Sequence, residues 1–597
     1  MKISVIALAA ATLLCVSSAA PSHPTPEDPA AVFLSQLISK TKSIGKGCRR
    51  CSHSKNDTPT VDLGYTNIRY AAAPTGELRW QPPQKPASAH FNGTQSATEF
   101  GAFCPQAFPA IPGLPILAGD EDCLSLNVWA PANATNLPVL VWIHGGGYGI
   151  GFGRQDMSEL INDNDKRFVV VVIQYRLGAF GFLSSADVKS RGAVNAGLLD
   201  QAFALGWVKE HICKFGGDRK RVTIAGESAG AGSVMYHNLA ADGTLGTLLF
   251  NNTIAASNYL PYHYKYDAEY PTKRYRAFAE KAGCSASNDT MACLRGKDSM
   301  ILQLASANTT SEQIYGRWAF DPVLDDVYLK SLPSQQMTQK RVNGDRILVG
   351  NNANEGPTFT PRTINTEADL KTWLQLEFPN FQPSTIEQVL TANPTRTGAN
   401  ASRFETDGLS ALTALDVSPE GTGQLQRAIN IVGEATFVCP SYWLSSAFTS
   451  PKQAWHYQYS VPYAYHGADL EASFGPALPN MGKEFTLAFR RMWGNFIVSN
   501  NPSITNEVAN GPSSGKVAAE NAASKWPVWE EARPLMLNLN QTGGVPFTFT
   551  TAWNTNVTGF RAPGQVNNVS LVDAAAWEGG RGWRCDFWRN LAPSIPA

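Results

Sequence analysis

The sequence predicts an α/β protein built on a mostly parallel, doubly wound central sheet. Three observations predict it: short β-branched runs recur from about residue 60 onward, helical patterns lie between them, and neither an internal repeat nor a Pro/Ser-rich linker splits the chain. Strands are expected at 139–143, 168–173, 222–225 and 347–349. Their continuous apolar character is what a sheet covered on both faces requires. A fifth strand, 455–461, alternates, with Trp455, Tyr457, Tyr459 and Val461 on one side of the pleat. Helices are expected at 198–211 and 229–239. Strands alternating with helices argue for parallel order with helices on both faces.

Ahead of these elements, Lys2 is followed by an apolar run at 3–16 that ends in Ser17-Ser18-Ala19-Ala20-Pro21. Its length and flanks fit a secretory signal peptide, residues 1–19, rather than a bilayer helix of about 20 residues. Residues 20–58 read as an N-terminal extension, polar and broken by Pro and Gly, with one amphipathic stretch at 30–38. Residues 59–597 read as one domain. A prior of about 150 residues per domain would divide it further, but large single α/β units are a known exception. No later apolar run approaches the length of the first, so the expectation is a secreted, extracellular protein without a membrane span.

Formal charge balances at 49 Lys+Arg against 49 Asp+Glu, with 43% hydrophobic and 16% charged positions. This is the composition of a folded protein, and it lacks the basic footprint of a nucleic-acid binder. Export also sets the redox compartment. Removing Cys15 with the signal leaves nine cysteines, an odd number, so at least one thiol stays free. Cys48-x-x-Cys51 has no second Cys/His pair at zinc-finger spacing, and a local disulfide is the plainer reading. Ten Asn-x-Ser/Thr sequons, at Asn56, Asn92, Asn133, Asn251, Asn288, Asn308, Asn400, Asn540, Asn556 and Asn568, suggest a glycoprotein.

Two Gly-x-Ser-x-Gly matches occur, Gly226-Glu227-Ser228-Ala229-Gly230 and Gly511-Pro512-Ser513-Ser514-Gly515. With this many glycines roughly 0.3 are expected by chance, so context must choose. A nucleophilic serine belongs on a sharp turn between a strand and a helix, where Oγ projects above the sheet edge. Ser228 follows the strand 222–225 and opens the helix 229–239, whereas Ser513 sits in loop composition with no strand before it. Preorganised N–H donors must meet the oxyanion of the tetrahedral intermediate. His144-Gly145-Gly146-Gly147, directly after the strand 139–143, is the loop that supplies them. A phosphate cradle is the alternative for a glycine-rich loop after a strand, but neither Gly-x-Gly-x-x-Gly nor a Lys-Ser/Thr ending is present.

At this point the chain resembles the type-B carboxylesterase/lipase family, the cholinesterase-like branch of the α/β-hydrolases, in its secreted fungal form. Beyond the elbow and the glycine loop, the resemblance rests on Pro74-x-Gly76-x-Leu78-Arg79-Trp80, Glu121-Asp122-Cys123-Leu124-x-Leu126-Asn127-Val128 and Tyr175-Arg176-Leu177-Gly178-Ala179-Phe180-Gly181-Phe182-Leu183. Asn195-x-Gly197-Leu198-Leu199-Asp200-Gln201, Phe215-Gly216-Gly217-Asp218 and Phe320-x-Pro322-Val323 extend it. The chain departs from the family in a shortened hairpin between the segments at 60–64 and 67–73.

A serine nucleophile needs a base, and the base needs an acid. Chain order in this fold is Ser, acid, His, which leaves only His456 and His466 late enough. His456 lies inside the alternating strand, where a structural role is expected. His466 follows the strand in Tyr465-His466-Gly467 and matches the family's His-Gly position. Glu355, in Asn354-Glu355-Gly356 beyond the strand 347–349, resembles the family's acid turn, with Asp325 and Asp326 as rivals by chain order. The expected triad is therefore Ser228, Glu355 and His466, with oxyanion donors from Gly146, Gly147 and Ala229 and with Glu227 supporting beside the nucleophile. No metal or cofactor is expected.

The resemblance implies disulfides Cys104–Cys123, Cys284–Cys293 and Cys439–Cys585, and leaves Cys213 as a free buried thiol. It also makes the loop between Cys104 and Cys123 the flap at the mouth of the active site. That loop is short and carries Pro109, Pro112 and Pro115, which fix φ and stiffen their neighbours. It contains no Trp of the kind that holds choline by cation–π contact in family relatives. The expected activity is hydrolysis of soluble short- or medium-chain or aromatic esters. The alternatives are a lipase acting on long-chain acylglycerols and a non-catalytic adhesion protein of the same fold.

Overall fold

A computed structural model describes residues 28–44, 63–87, 96–394, 421, 423–551 and 554–595. The expected signal segment, the Cys48/Cys51 pair and the sequons at Asn56, Asn92 and Asn400 lie outside them. Ten strands form one sheet: β1 (Leu63–Arg69), β2 (Ser125–Ala130), β3 (Leu137–Ile143), β4 (Val169–Ile173), β5 (Gly217–Glu227), β6 (Asn252–Ala256), β7 (Arg346–Asn352), β8 (Gln453–Tyr459), β9 (Leu535–Thr550) and β10 (Asn556–Asp573). Their order is β1-β2-β4-β3-β5-β6-β7-β8-β9-β10. From β4 to β9 every neighbouring pair is parallel, and antiparallel pairs close both ends. The chain leaves β3 for β4 on one side and returns to β5 on the other. Open α/β sheets bind ligands beyond the carboxyl ends of strands at such a reversal.

The period-two alternation of a strand divides each apolar run between two cores. Val139, Val141 and Ile143 of β3 face one cluster with Val169, Val171 and Ile173 of β4, packed under Leu198, Leu205 and Val234 from the helices Ala196–His211 and Ala229–Leu239. Leu140 and Trp142 face the other with Val170 and Val172, against Phe489 and Trp493 of the helix Lys483–Ser499. Four residues of the quoted motifs form two buried ion pairs that fasten loops to this frame: Arg79 to Glu121 at 2.6 Å and Arg176 to Asp200 at 2.7 Å.

β9 and β10 form a long hairpin. Its root is buried beside β8, whereas the half beyond Gln541 is largely solvent-exposed and stands off the sheet as an arm. The amphipathic stretch of the N-terminal extension forms the helix Pro29–Ser43, capped by Asp28, and docks Phe33 against Phe203 at 6.0 Å between ring centroids. Ala30, Phe33, Leu34 and Leu37 are buried there, so this part of the extension belongs to the main core.

Three disulfides join Cys104 to Cys123, Cys284 to Cys293 and Cys439 to Cys585. The expectation for Cys213 is overturned: it is disulfide-bonded, to a partner outside the described residues. Its position explains this. It sits partly exposed in the short turn Ile212–Phe215 at the end of a helix, and not in the apolar interior. Among the described residues no helix is long and apolar enough to cross a membrane.

Candidate active site

β5 ends at Glu227, the helix Ala229–Leu239 begins at Ala229, and Ser228 between them has φ +56° and ψ −125°. A side chain in that region is strained and persists only where its surroundings fix it. Here the Ser228 N–H donates to the Ala256 carbonyl at 3.0 Å and its own carbonyl accepts from Gly232 N–H at 2.8 Å. The motif's glycines are steric necessities. A Cβ on Gly226 would lie 2.3 Å from the Gly230 backbone, and one on Gly230 would lie 2.1 Å from the Ile143 carbonyl oxygen.

The Ser228 hydroxyl is 2.9 Å from His466 Nε2, and His466 Nδ1 is 2.6 Å from Glu355 Oε2. The other Glu355 oxygen accepts from the Ser257 hydroxyl at 2.8 Å and the Asn352 N–H at 2.6 Å, so the carboxylate is held on both sides. The Asn352 side-chain amide donates to Ser257 Oγ and to Asp469 Oδ1, each at 3.0 Å, and Tyr457 donates to the other Asp469 oxygen at 3.1 Å. These supports come from the residue after β6, from β7, from β8 and from the helix Ala468–Phe474, four separate stretches of chain.

Glu227 is buried with Oε1 3.3 Å from His466 Nε2. Burial pushes its carboxyl up to about 8, with the His466 charge opposing and Asp469 and Glu355 adding to the rise. At His466 burial works against the charged ring, but the carboxylates of Glu227 and Glu355 outweigh it and hold the imidazole above its ordinary value. Burial raises Asp469 to about 6 against the hydrogen bond from Asn352.

The loop after β3 brings Gly146 and Gly147 alongside the elbow, both at positive φ, +99° and +58°. Neither N–H donates to a protein acceptor among the described residues. Ala229 N–H opens a helix, where the first amides have no intrahelical acceptor. A Cβ on Gly145 would come within 2.6 Å of the Glu227 carbonyl oxygen, so the loop and the elbow touch through glycine alone. His144 is held in place rather than reactive: it stacks on Tyr175 at 4.5 Å, and burial lowers it to about 4.

Aromatic rings wall this constellation. Phe437 and Phe359 pack against the His466 ring at 4.3 and 5.1 Å, and Trp318 covers Gly147 closely enough that a Cβ there would lie 2.3 Å from its ring. Trp318 donates to the Ala107 carbonyl at 3.1 Å, which ties this wall to the loop between Cys104 and Cys123. That loop carries neither helix nor strand. It is fastened by Gln303, whose side chain exchanges hydrogen bonds of 2.9 and 3.0 Å with Gly119, and by Ala110 pairing with Arg317 and Gly316. Its tip remains exposed at Leu114, Ile116 and Leu117.

The remaining candidates lie elsewhere. His456 is buried between Ser445 and Asn351, and burial lowers it to about 3. Asp325 organises a turn, accepting from the N–H groups of Val327, Tyr328 and Leu329, and Asp326 stands at the surface near Lys265. Ser513 is exposed and donates to Glu484 at 2.8 Å. Ser257, Asn352, Asp469 and the aromatic wall carry no sequence motif of their own, and of these Asn352 and Phe359 lie near Glu355 in the chain.

The sheet order, the strand-to-helix elbow at Ser228 and the glycine loop beside it are those of an α/β-hydrolase acting on carboxylic esters. The model of the Carboxylesterase family matches residues 49–553, and the chain belongs to that family. It is 30% identical over 479 residues to Lipase 4 of Diutina rugosa, covering 75% of this chain and 82% of that protein. It is 32% identical over 481 residues to Secreted lipase 1 of Botryotinia fuckeliana, covering 73% and 81%. Among solved structures, Aspergillus niger EstA superposes with a TM-score of 0.68 at 25% identity, covering 89% of this chain and 95% of that one. The protein is a carboxylic-ester hydrolase.

Proposed function

We propose that this is a secreted serine esterase in which Ser228 is the nucleophile, His466 the general base and Glu355 the acid that orients it. The observation that carries the reading is the unbroken relay from Ser228 Oγ through His466 to a doubly supported Glu355. His466 Nε2 takes the hydroxyl proton as Oγ attacks the ester carbonyl. The N–H groups of Gly146, Gly147 and Ala229 receive the oxyanion. The imidazolium, stabilised by Glu355, then protonates the leaving alcohol. Water activated by the same histidine hydrolyses the acyl-enzyme, which releases the acid and restores Ser228.

The substrates are soluble short- or medium-chain or aromatic esters. The aromatic wall of Trp318, Phe359 and Phe437 supports apolar acyl or aryl groups, and the many fastenings of the Cys104–Cys123 loop support a mouth that does not gate turnover. One observation favours the lipase reading: the exposed Leu114, Ile116 and Leu117 adjoin a helix, Ser299–Ser311, that itself exposes Met300, Ile301 and Leu304. Exposed apolar patches of this kind mark interaction surfaces. The rate of tributyrin hydrolysis across its solubility limit separates the two. Smooth saturation below the limit is expected, and a sharp rise once droplets form would make the enzyme a lipase.

A further inference from the structure

Between the exposed arm of β9 and the segment after β8 lies a cavity of about 360 Å³, within the size range of small-molecule sites. Tyr459, Tyr463, Tyr465, Phe547, Phe549 and Glu471 line it, and Ser228, Glu355 and His466 do not. The rings form a continuous wall, with Tyr463 6.0 Å from Phe549, 5.9 Å from Tyr465, and Phe547 5.7 Å from Phe549. Three polar atoms of this lining are buried without a hydrogen-bond partner: the hydroxyls of Tyr459 and Tyr463 and Oε2 of Glu471. Buried polar atoms are rarely left so, because each unmet one is costly.

We infer that this cavity is a second small-molecule site, one that takes an organic ammonium ion bearing an aromatic or apolar body. Glu471 Oε1 accepts from Tyr465 at 3.0 Å, and among the described residues no group meets Oε2 and no basic side chain is paired with the Glu471 carboxylate. An ammonium group has donors, a positive charge and no acceptor, which suits an aromatic wall that carries the Glu471 carboxylate. Aromatic faces stabilise a cation by their quadrupole, most strongly where water is excluded. Phe547 already carries one cation, the exposed Arg561, at 5.4 Å. Burial also raises the Glu471 carboxyl, as expected for an acid lacking a counterion. The wall residues Tyr463, Ala464 and Tyr465 immediately precede His466, so the site shares its backbone with the active-site loop.

Titration calorimetry with 4-phenylbenzylammonium and its neutral counterpart 4-phenylbenzyl alcohol tests this on the whole protein. The ammonium is expected to bind one to one, at least tenfold tighter than the alcohol, and Glu471→Gln is expected to bring it down to the affinity of the alcohol. Leu478→Trp, which fills the cavity from another wall without altering the carboxylate, is expected to weaken both probes at least tenfold, and it carries the test alone if the Glu471 variant does not fold. Equal affinity for the two probes, no binding of the ammonium, or ammonium binding unchanged in the folded variants would overturn the inference.

Discussion

Glu227 Oε1 stands 3.3 Å from His466 Nε2, the same ring nitrogen that lies 2.9 Å from the Ser228 hydroxyl. The proposed base, His466, therefore has a carboxyl on each side, Glu355 at Nδ1 and Glu227 at Nε2. Only its neutral form can accept the serine proton, so the acid limb of kcat/KM reports its titration. Burial opposes protonation of His466, and the two carboxylates promote it. Glu227, itself raised to about 8, titrates together with His466, so Glu227→Gln removes the negative charge the pair shares, lowers the pKa of the base and moves the acid limb to lower pH. A pH profile of kcat/KM checks this, and a limb that stays put or moves upward contradicts the arrangement.

Ser228→Ala, Glu355→Gln and His466→Ala are each expected to reduce kcat by at least about a thousandfold with little change in thermal stability, because the three act as a unit. Ser513→Ala, in the exposed loop, should leave kcat unchanged. Burst kinetics with a nitrophenyl ester measure all four, and near-normal turnover by Ser228→Ala would remove Ser228 from the mechanism.

Gly230→Ala places a methyl 2.1 Å from the Ile143 carbonyl oxygen, a backbone atom that cannot rotate aside. The elbow must then move away from the glycine loop, and displacement by about 1 Å is enough to cost on the order of a hundredfold in rate. Turnover and circular dichroism of the purified variant give the answer. A folded enzyme with wild-type kcat would show that this close approach is not needed.

Far from the chemistry, Glu434 is buried between Arg584 at 2.6 Å and Arg581 at 3.2 Å. Burial opposes its charge, but the two guanidinium groups prevail and hold its carboxyl below the usual range. Glu434→Gln would leave two buried cations with only Glu578 as a nearby carboxylate, at a cost of up to about 3–5 kcal/mol. The helix Trp577–Leu591 would lose its ionic anchor and keep Cys439–Cys585. Denaturant unfolding measures the change, and a loss below about 1 kcal/mol would mean that water or rearrangement replaces the glutamate.

The strands at β3, β4, β5, β7 and β8 were legible because burial on two faces, or alternation on one, writes itself into consecutive residues. β6 was not, since Asn252 and Thr253 interrupt its apolar character, and with it went Ser257, which follows that strand. β9 and β10 were hidden by Thr, Asn and Gly in an arm that faces water. The proposed triad was drawn from short motifs, whereas the groups that hold it were not: Ser257 lies 98 residues from Glu355, and Asn352 lies 117 from Asp469. Such pairs are made by the sheet and leave no local pattern. Cys213 misled because its position before Phe215-Gly216-Gly217-Asp218 says nothing about whether it lies in the interior or near the surface.

The glycines at 145, 226 and 230 fill contacts in which even one methyl group has no room. The frame that aligns the proposed nucleophile with the proposed oxyanion donors is therefore closed to gradual change, since a methyl group at any of these three positions disrupts it. The rings of Trp318, Phe359 and Phe437 are bound by no such limit, because a smaller or differently shaped side chain leaves the frame standing. New ester preferences in this lineage would then arise by replacement in that wall, with the catalytic frame inherited whole.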